Sequence, residues 1–243
     1  MLDKDGNVIG TKERDEYGTW FIGKDISTIW NYKVLGIWQP NEAEEAARYG
    51  QAPGDPKVAN IYTEDDKVNP DGTVTPVFND KDKVFLGKST SPIHWQMRNS
   101  FTIFKSIGLS FNLYSYMGAK YLDTSYLNQD NTSNIISYGA NRRAKEYWTP
   151  ENQSNTYARL NAKTPNGAGA PRVLSKDFIR LENIALSYTF PKKIINVLNL
   201  EALSIYGNIR NVAVWSKDKC PGGDPETGGY LNRVYTLGLN VTF

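Results

Sequence analysis

The residues able to do acid–base, nucleophilic or metal chemistry are few and scattered. The chain has a single histidine, His94, and a single cysteine, Cys220, in 243 residues. One histidine without a partner of its kind supports neither a His-rich metal site nor a hydrolase triad, and one cysteine cannot close an intrachain disulfide. The carboxylates are spread through polar connecting segments, and no spacing singles out a pair for general acid–base work. The expectation is a protein that is not an enzyme, with no catalytic residue, no metal and no other cofactor. A net charge of +2 gives no electrostatic case for nucleic acid as a partner.

Two other groups offer binding chemistry. Tyr147 and Trp148 stand together before Thr149-Pro150. They read either as a stacking platform for a sugar ring or a contact for a covering protein, or as residues that pack their own loop. Arg142, Arg143 and Lys145 form a short basic run, which reads as a solvated face.

The elements that must position these residues alternate with a period of two. From Arg233 onward, Tyr235, Leu237, Leu239, Val241 and Phe243 are bulky and apolar, with Thr236, Gly238, Asn240 and Thr242 between them. That is a strand with one apolar and one wet face. Outer-membrane barrels finish on such a strand, and Tyr235 and Phe243 are the expected terminal assembly signal. Five more segments alternate: Thr19 to Tyr32, Trp95 to Phe104, Leu109 to Met117, Phe178 to Phe190 and Leu203 to Trp215. Each is long for a globular strand and suited to a tilted bilayer crossing. On this parity Trp20, Trp30 and Trp95 face lipid as girdle residues.

The connections alternate between short and long. Lys105 to Gly108 and Pro191 to Leu200 are short; Lys33 to His94, Tyr121 to Asp177 and Ser216 to Tyr230 are long or glycine-rich. Brief periplasmic turns and large outer loops give this rhythm in an up-and-down transmembrane barrel. A soluble carbohydrate-binding β-sandwich has the same strand pattern and the same wealth of Tyr and Trp, and remains the alternative, although structureless loops of this length are uncommon in compact domains. The expected class is all-β and antiparallel, with long extracellular loops. The first loop carries its own helix, which Asn41 and Glu44 cap and Gly50 closes. Met1 to Tyr17 is polar, with no basic segment leading into an apolar run, so no signal peptide is read there. The chain is then either cytoplasmic or part of a longer precursor, and the strands favour the second.

Arg180 and Arg233 share a spacing, each ten residues before a terminal aromatic, Phe190 and Phe243. At a tilt near 45° ten residues climb roughly 23 Å, close to the height of a barrel's apolar band. Both arginines are expected at the outer interface, as a collar for lipopolysaccharide phosphates or, if a β-bulge intervenes, turned toward the lumen.

Several runs together resemble a family: NYKVLGIWQPNEAEEAARYGQAPGD (Asn31 to Asp55), YWTPENQSN (Tyr147 to Asn155), FIRLENIALSYTFPKKI (Phe178 to Ile194), NIRNVAVW (Asn208 to Trp215), GGDPETGG (Gly222 to Gly229) and RVYTLGLNVTF (Arg233 to Phe243). In this order they are similar to the carboxy-terminal part of SusC/RagA-type TonB-dependent transporters of Bacteroidetes. The resemblance implies a cell outer-membrane location and a plugged barrel of about 22 strands, of which about the last six are present. It further implies glycan or peptide import with a SusD-like surface lipoprotein, energised through a TonB complex. The plug, TonB box and signal peptide are expected upstream of residues 1–243. Family members often carry a cation-binding acidic stretch in the first long loop. Here the Val58 to Asp82 region has Tyr62 and Thr63 where acids are expected, and no glutamate closes the loop after Asp71-Gly72. A solvated acidic loop is the better reading.

Overall fold

The computed structural model describes residues 20–127, 146–166, 168–219 and 223–243. The N-terminal segment, Cys220 and the basic run at Arg142, Arg143 and Lys145 lie outside the described residues. Chain contacts divide the protein into two units, one from Met1–Ser89 with Tyr121–Leu174, the other from Thr90–Lys120 with Ser175–Phe243.

The first unit begins with β1 (Thr28–Tyr32) and β2 (Val34–Ile37), then the short helix α1 (Ala43–Arg48). There follow β3 (Pro56–Val58), β4 (Lys67–Val68), β5 (Val74–Thr75) and β6 (Lys83–Lys88). These make small antiparallel ribbons, β1 with β6, β2 with β3 and β4 with β5. The expected bilayer-length strand Thr19 to Tyr32 is corrected: among its described residues only the last five form a strand. Gly23, at φ +76, and Asp25, which accepts from the Ser27 amide, turn the chain instead. Trp30 is therefore no girdle residue; its indole donates to the Lys83 carbonyl across β6. A 3-10 turn, Pro40–Glu42, leads into the helix, so the cap lies two residues earlier than expected. The Glu42 carboxylate accepts from the Gln39 amide at 3.0 Å, with Pro40 opening the turn, so capping runs Gln39–Glu42 and not Asn41–Glu44. Gly50 closes it at φ +70, as read.

The two longest connections do not stay separate loops; they fold together around one core. Tyr32, Ile37 and Phe78 from the first meet Tyr126, Trp148 and Ala158 from the second. A fully buried carboxylate ties the segments. Asp55 accepts from Arg159 Nε at 2.7 Å and Nη2 at 3.0 Å, and from the amides of Ala52 and Lys163. A buried carboxylate is tolerated only when its lone pairs are met in this way.

The second unit is an open five-stranded antiparallel sheet. β7 (Ile93–Ile103) and β8 (Ile107–Met117) form a hairpin; the ribbon of β9 (Lys120–Asp123) with β10 (Arg172–Ser175) that follows belongs almost wholly to the first unit. β11 (Phe178–Thr189), the one-turn helix α2 (Lys192–Ile195), β12 (Ala202–Ser216) and β13 (Val234–Thr242) complete the meander, in the order β13-β12-β11-β8-β7. The β7–β8 turn sits earlier than the glycine suggested. Phe104 and Lys105 take it at φ 50 and 61, the paired left-handed geometry that matches strand twist, while Gly108 lies inside β8.

The register fixes two faces of opposite chemistry. Phe101, Leu109, Leu186, Ile205 and Leu239 come from successive strands on one face, and Phe101, Leu186, Ile205 and Leu239 among them are exposed. Trp95 and Trp215 lie in one cross-strand row of that face, through Ser115 and Ile179. From Trp95 to Ile103 the strand runs roughly 26 Å. An apolar face of this extent left open is not how a sandwich treats its inner surface, where a second sheet would cover it.

Candidate functional site on the polar face of the sheet

The opposite face carries hydrogen-bonding side chains on every strand. His94, Gln96 and Arg98 on β7 pair with Tyr116, Tyr114 and Asn112 on β8. Asn183 on β11 stands between Asn112 and Arg210 of β12. Tyr206 pairs with Gly238, where a Cβ would come within 2.2 Å of the tyrosine ring, so glycine alone lets the ring lie flat across β13. Such a surface can hold a hydrated solute by side-chain hydrogen bonds, and nothing in it presents a nucleophile beside a base.

Arg180 belongs to this face, which corrects its expected place in a lipid-facing collar. The register shifts between Leu181 and Asn183, so Glu182 is an extra residue and the parity of everything before it is reversed relative to Phe190. A matching irregularity on β12 places Asn211 at φ 54. Arg180 thus pairs with Tyr114, is 3% exposed, and donates through Nη2 to both oxygens of Asp224, at 2.8 and 2.6 Å. Glu226 stands 3.3 Å from the same guanidinium and accepts from the Tyr114 hydroxyl at 2.7 Å. A guanidinium so buried and so paired cannot reach a lipid phosphate. Arg233 lies just before β13 with an exposed side chain, its Nε donating to the Val212 carbonyl at 3.0 Å. The two arginines are not equivalent.

Asp224 in turn organises the segment 223–231 as a strap. Its Oδ1 accepts from the amides of Glu226 and Thr227, while its backbone pairs with Gly228 and Gly229. Burial pushes the Asp224 carboxyl up, but the Arg180 hydrogen bond and the two amides outweigh it and hold the group below the usual carboxylate range.

The bulge also aims Glu182. The Asn112 side-chain amide donates to Glu182 and its carbonyl accepts from Gln96 Nε2 at 3.0 Å, a chain running across three strands. Asn112 is buried, so its amide orientation is fixed by these two partners.

Trp148 is corrected as a ligand or lid contact. It is 8% exposed inside the first unit's core, its indole donates to Gln39 Oε1, and a Cβ at Gly54 would meet its ring at 2.5 Å. A ring with both faces covered offers no platform. Tyr147 beside it remains exposed. The acids of the Val58 to Asp82 region are held by internal donors. Asp82 accepts from the amides of Ile61, Tyr62 and Asn79, and Asp65 pairs with Lys81.

Asp224, Tyr114, Asn112 and Glu182 were not singled out from the sequence. The Asp224-Pro225-Glu226 run was visible, but its partner depended on a β-bulge that the sequence leaves as one of two alternatives for Arg180.

No protein-family model and no curated protein matches the chain. Solved structures do. It is similar to a chain of the RagAB peptide transporter, with a TM-score of 0.60 at 17% identity. Against the RagAB peptide importer it gives 0.59 at 20% in the closed-closed state and 0.58 at 18% in the open-open state. Each match covers 92% of this chain, which spans only 23% to 24% of the matched chain. At this identity the likeness is one of fold. The SusC/RagA-type resemblance of the sequence and this structural likeness fall on the same architecture.

Proposed function

We propose that the chain is the carboxy-terminal barrel portion of a TonB-dependent outer-membrane importer of the SusC/RagA type, transporting glycans or peptides without catalytic chemistry. The observation that carries this is the sheet itself: an antiparallel meander whose apolar face is open and whose polar face is dense with hydrogen-bonding groups. Apolar-out and polar-in is what a barrel strand needs between lipid and a wet lumen. The five strands would be part of a wall of about 22, closed by strands that pair with β7 and β13. The first unit, built largely from the long connections Lys33 to His94 and Tyr121 to Asp177, would be extracellular. It is the surface offered to a SusD-like lipoprotein, with Tyr147 among its contacts. The open guanidinium of Arg233 is left to meet lipopolysaccharide phosphate. TonB would act through a plug outside residues 1–243.

Cells making the full-length protein should retain it in the outer membrane and take up labelled oligosaccharide or peptide only with an intact TonB system. Recovery in the soluble fraction, or uptake indifferent to loss of TonB, would overturn the proposal.

A further inference from the structure

Beside the Asn112 chain the polar face opens into a hollow of about 490 Å³ walled by His94, Gln96, Tyr114, Tyr116 and Glu182. Its chemistry is specific. The His94 and Tyr116 rings lie 4.3 Å apart at 31°, and Tyr114 stands 5.7 Å from Tyr116. Three aromatic rings and one carboxylate therefore share the hollow. That carboxylate has a single hydrogen bond, from Asn112, and among the described residues no cation pairs with it. The nearest candidates are already committed or turned away. Arg180 is bound by Asp224 and Glu226. Arg98 and Arg210, exposed on the same face, form no ion pair with it. Asn112, itself fixed by Gln96, holds the group in place, which removes much of the entropy a flexible glutamate would lose on binding.

We propose that this hollow is a binding site for an alkylammonium group, the chemistry shared by a lysine side chain and a peptide amino terminus. The Glu182 carboxylate supplies the counter-charge, and the open ring faces of Tyr114 and Tyr116 supply cation–π attraction, which strengthens where water is partly excluded, with His94 stacked on Tyr116 as the wall. A neutral group of the same shape gains neither. The site belongs to the polar face alone and holds whether or not the sheet proves to be part of an importer.

The test uses the full 243-residue chain, 15N-labelled and held in detergent micelles, with the side-chain amide resonances of Gln96 and Asn112 as reporters. n-Butylammonium stands for the lysine side chain, alaninamide for the amino terminus, and n-butanol is the neutral control. Saturable shifts with either amine and none with n-butanol are expected, and which amine binds tells the two sources apart. Glu182→Gln keeps the Asn112 hydrogen bond and should weaken amine binding at least tenfold. His94→Arg, at an exposed position where folding is not at stake, should do the same by placing a cation at the rim. Equal shifts from n-butanol, or amine binding unchanged in both variants, would overturn the site; the second result is what a swing of Arg98 onto Glu182 would give.

Discussion

Nη2 of Arg180 lies 2.8 Å from one carboxylate oxygen of Asp224 and 2.6 Å from the other, joining the middle of the sheet to a segment 44 residues away in sequence. Both partners are nearly inaccessible, at 3% and 5% exposure. A buried pair of this kind is costly to break from one side, about 3–5 kcal/mol, because the survivor is left charged and dry. Asp224→Ala and Arg180→Met should each lower the urea unfolding midpoint of the protein in detergent. Arg180→Met with Asp224→Leu should cost clearly less than the two single losses added. Additive losses would mean that the pair is not coupled.

Acid should release the strap through the same residue. Asp224 is held below its ordinary range, so its contribution to stability is complete above the unfolded carboxylate's pKa of about 4. It is lost as the pH falls below that value, through the folded group's own titration. Amide hydrogen exchange at Glu226 and Thr227, corrected for intrinsic rates, should speed up below about pH 4 in the native protein. In Asp224→Ala, which lacks the accepting oxygen, it should be fast at every pH. Protection in the native protein that is flat down to pH 2 would show that the strap is held by something other than this carboxylate.

The sheet was largely legible and the site was not, for one physical reason. A period of two survives wherever each residue adds one step, so Leu109 to Met117 and the alternation after Arg233 could be read directly. An inserted residue such as Glu182 is silent in composition and reverses every side chain before it, which is why the sequence leaves Arg180 open between a lipid-facing collar and the lumen. Thr19 to Tyr32 failed differently. Its alternation was real, but Gly23 and Asp25 supply turn chemistry that outweighs a pattern with nothing to pack against. The burial of Trp148 needed a tertiary fact, that segments tied by Asp55 and Arg159, 104 residues apart, share one core.

The β7–β8 turn is strained by its residues and should be improvable. Phe104 and Lys105 occupy a left-handed region that costs an ordinary side chain about 1 kcal/mol or more, and Phe104 is 89% exposed with no packing to offset it. Replacing the pair by Asn-Gly, the sequence this turn favours, should raise the unfolding midpoint and the refolding yield in detergent. No rise from the Asn-Gly pair alone would count against the turn geometry.

Orientation gives the last prediction, and it follows from where the connections lie along the meander. The β7–β8 turn and the α2 turn fall at one end of the sheet, since β8 and β11 both start or finish there: Ile107 pairs with Tyr188, and Thr189 with Ser204. The strap at 223–231 leaves from the other end, where Phe178 pairs with Ser216. In the full-length protein with Cys220→Ser, a cysteine at Thr227 should react with an impermeant thiol reagent on intact cells. Cysteines at Lys105 or Lys192, both exposed at the opposite end, should react only after the outer membrane is opened. Because the two ends differ by the thickness of the apolar face, the two labelling patterns cannot both be seen in one orientation. Labelling at Lys105 and Lys192 with protection at Thr227 would invert the topology, and labelling at all three on intact cells would remove the membrane from the account of the apolar face.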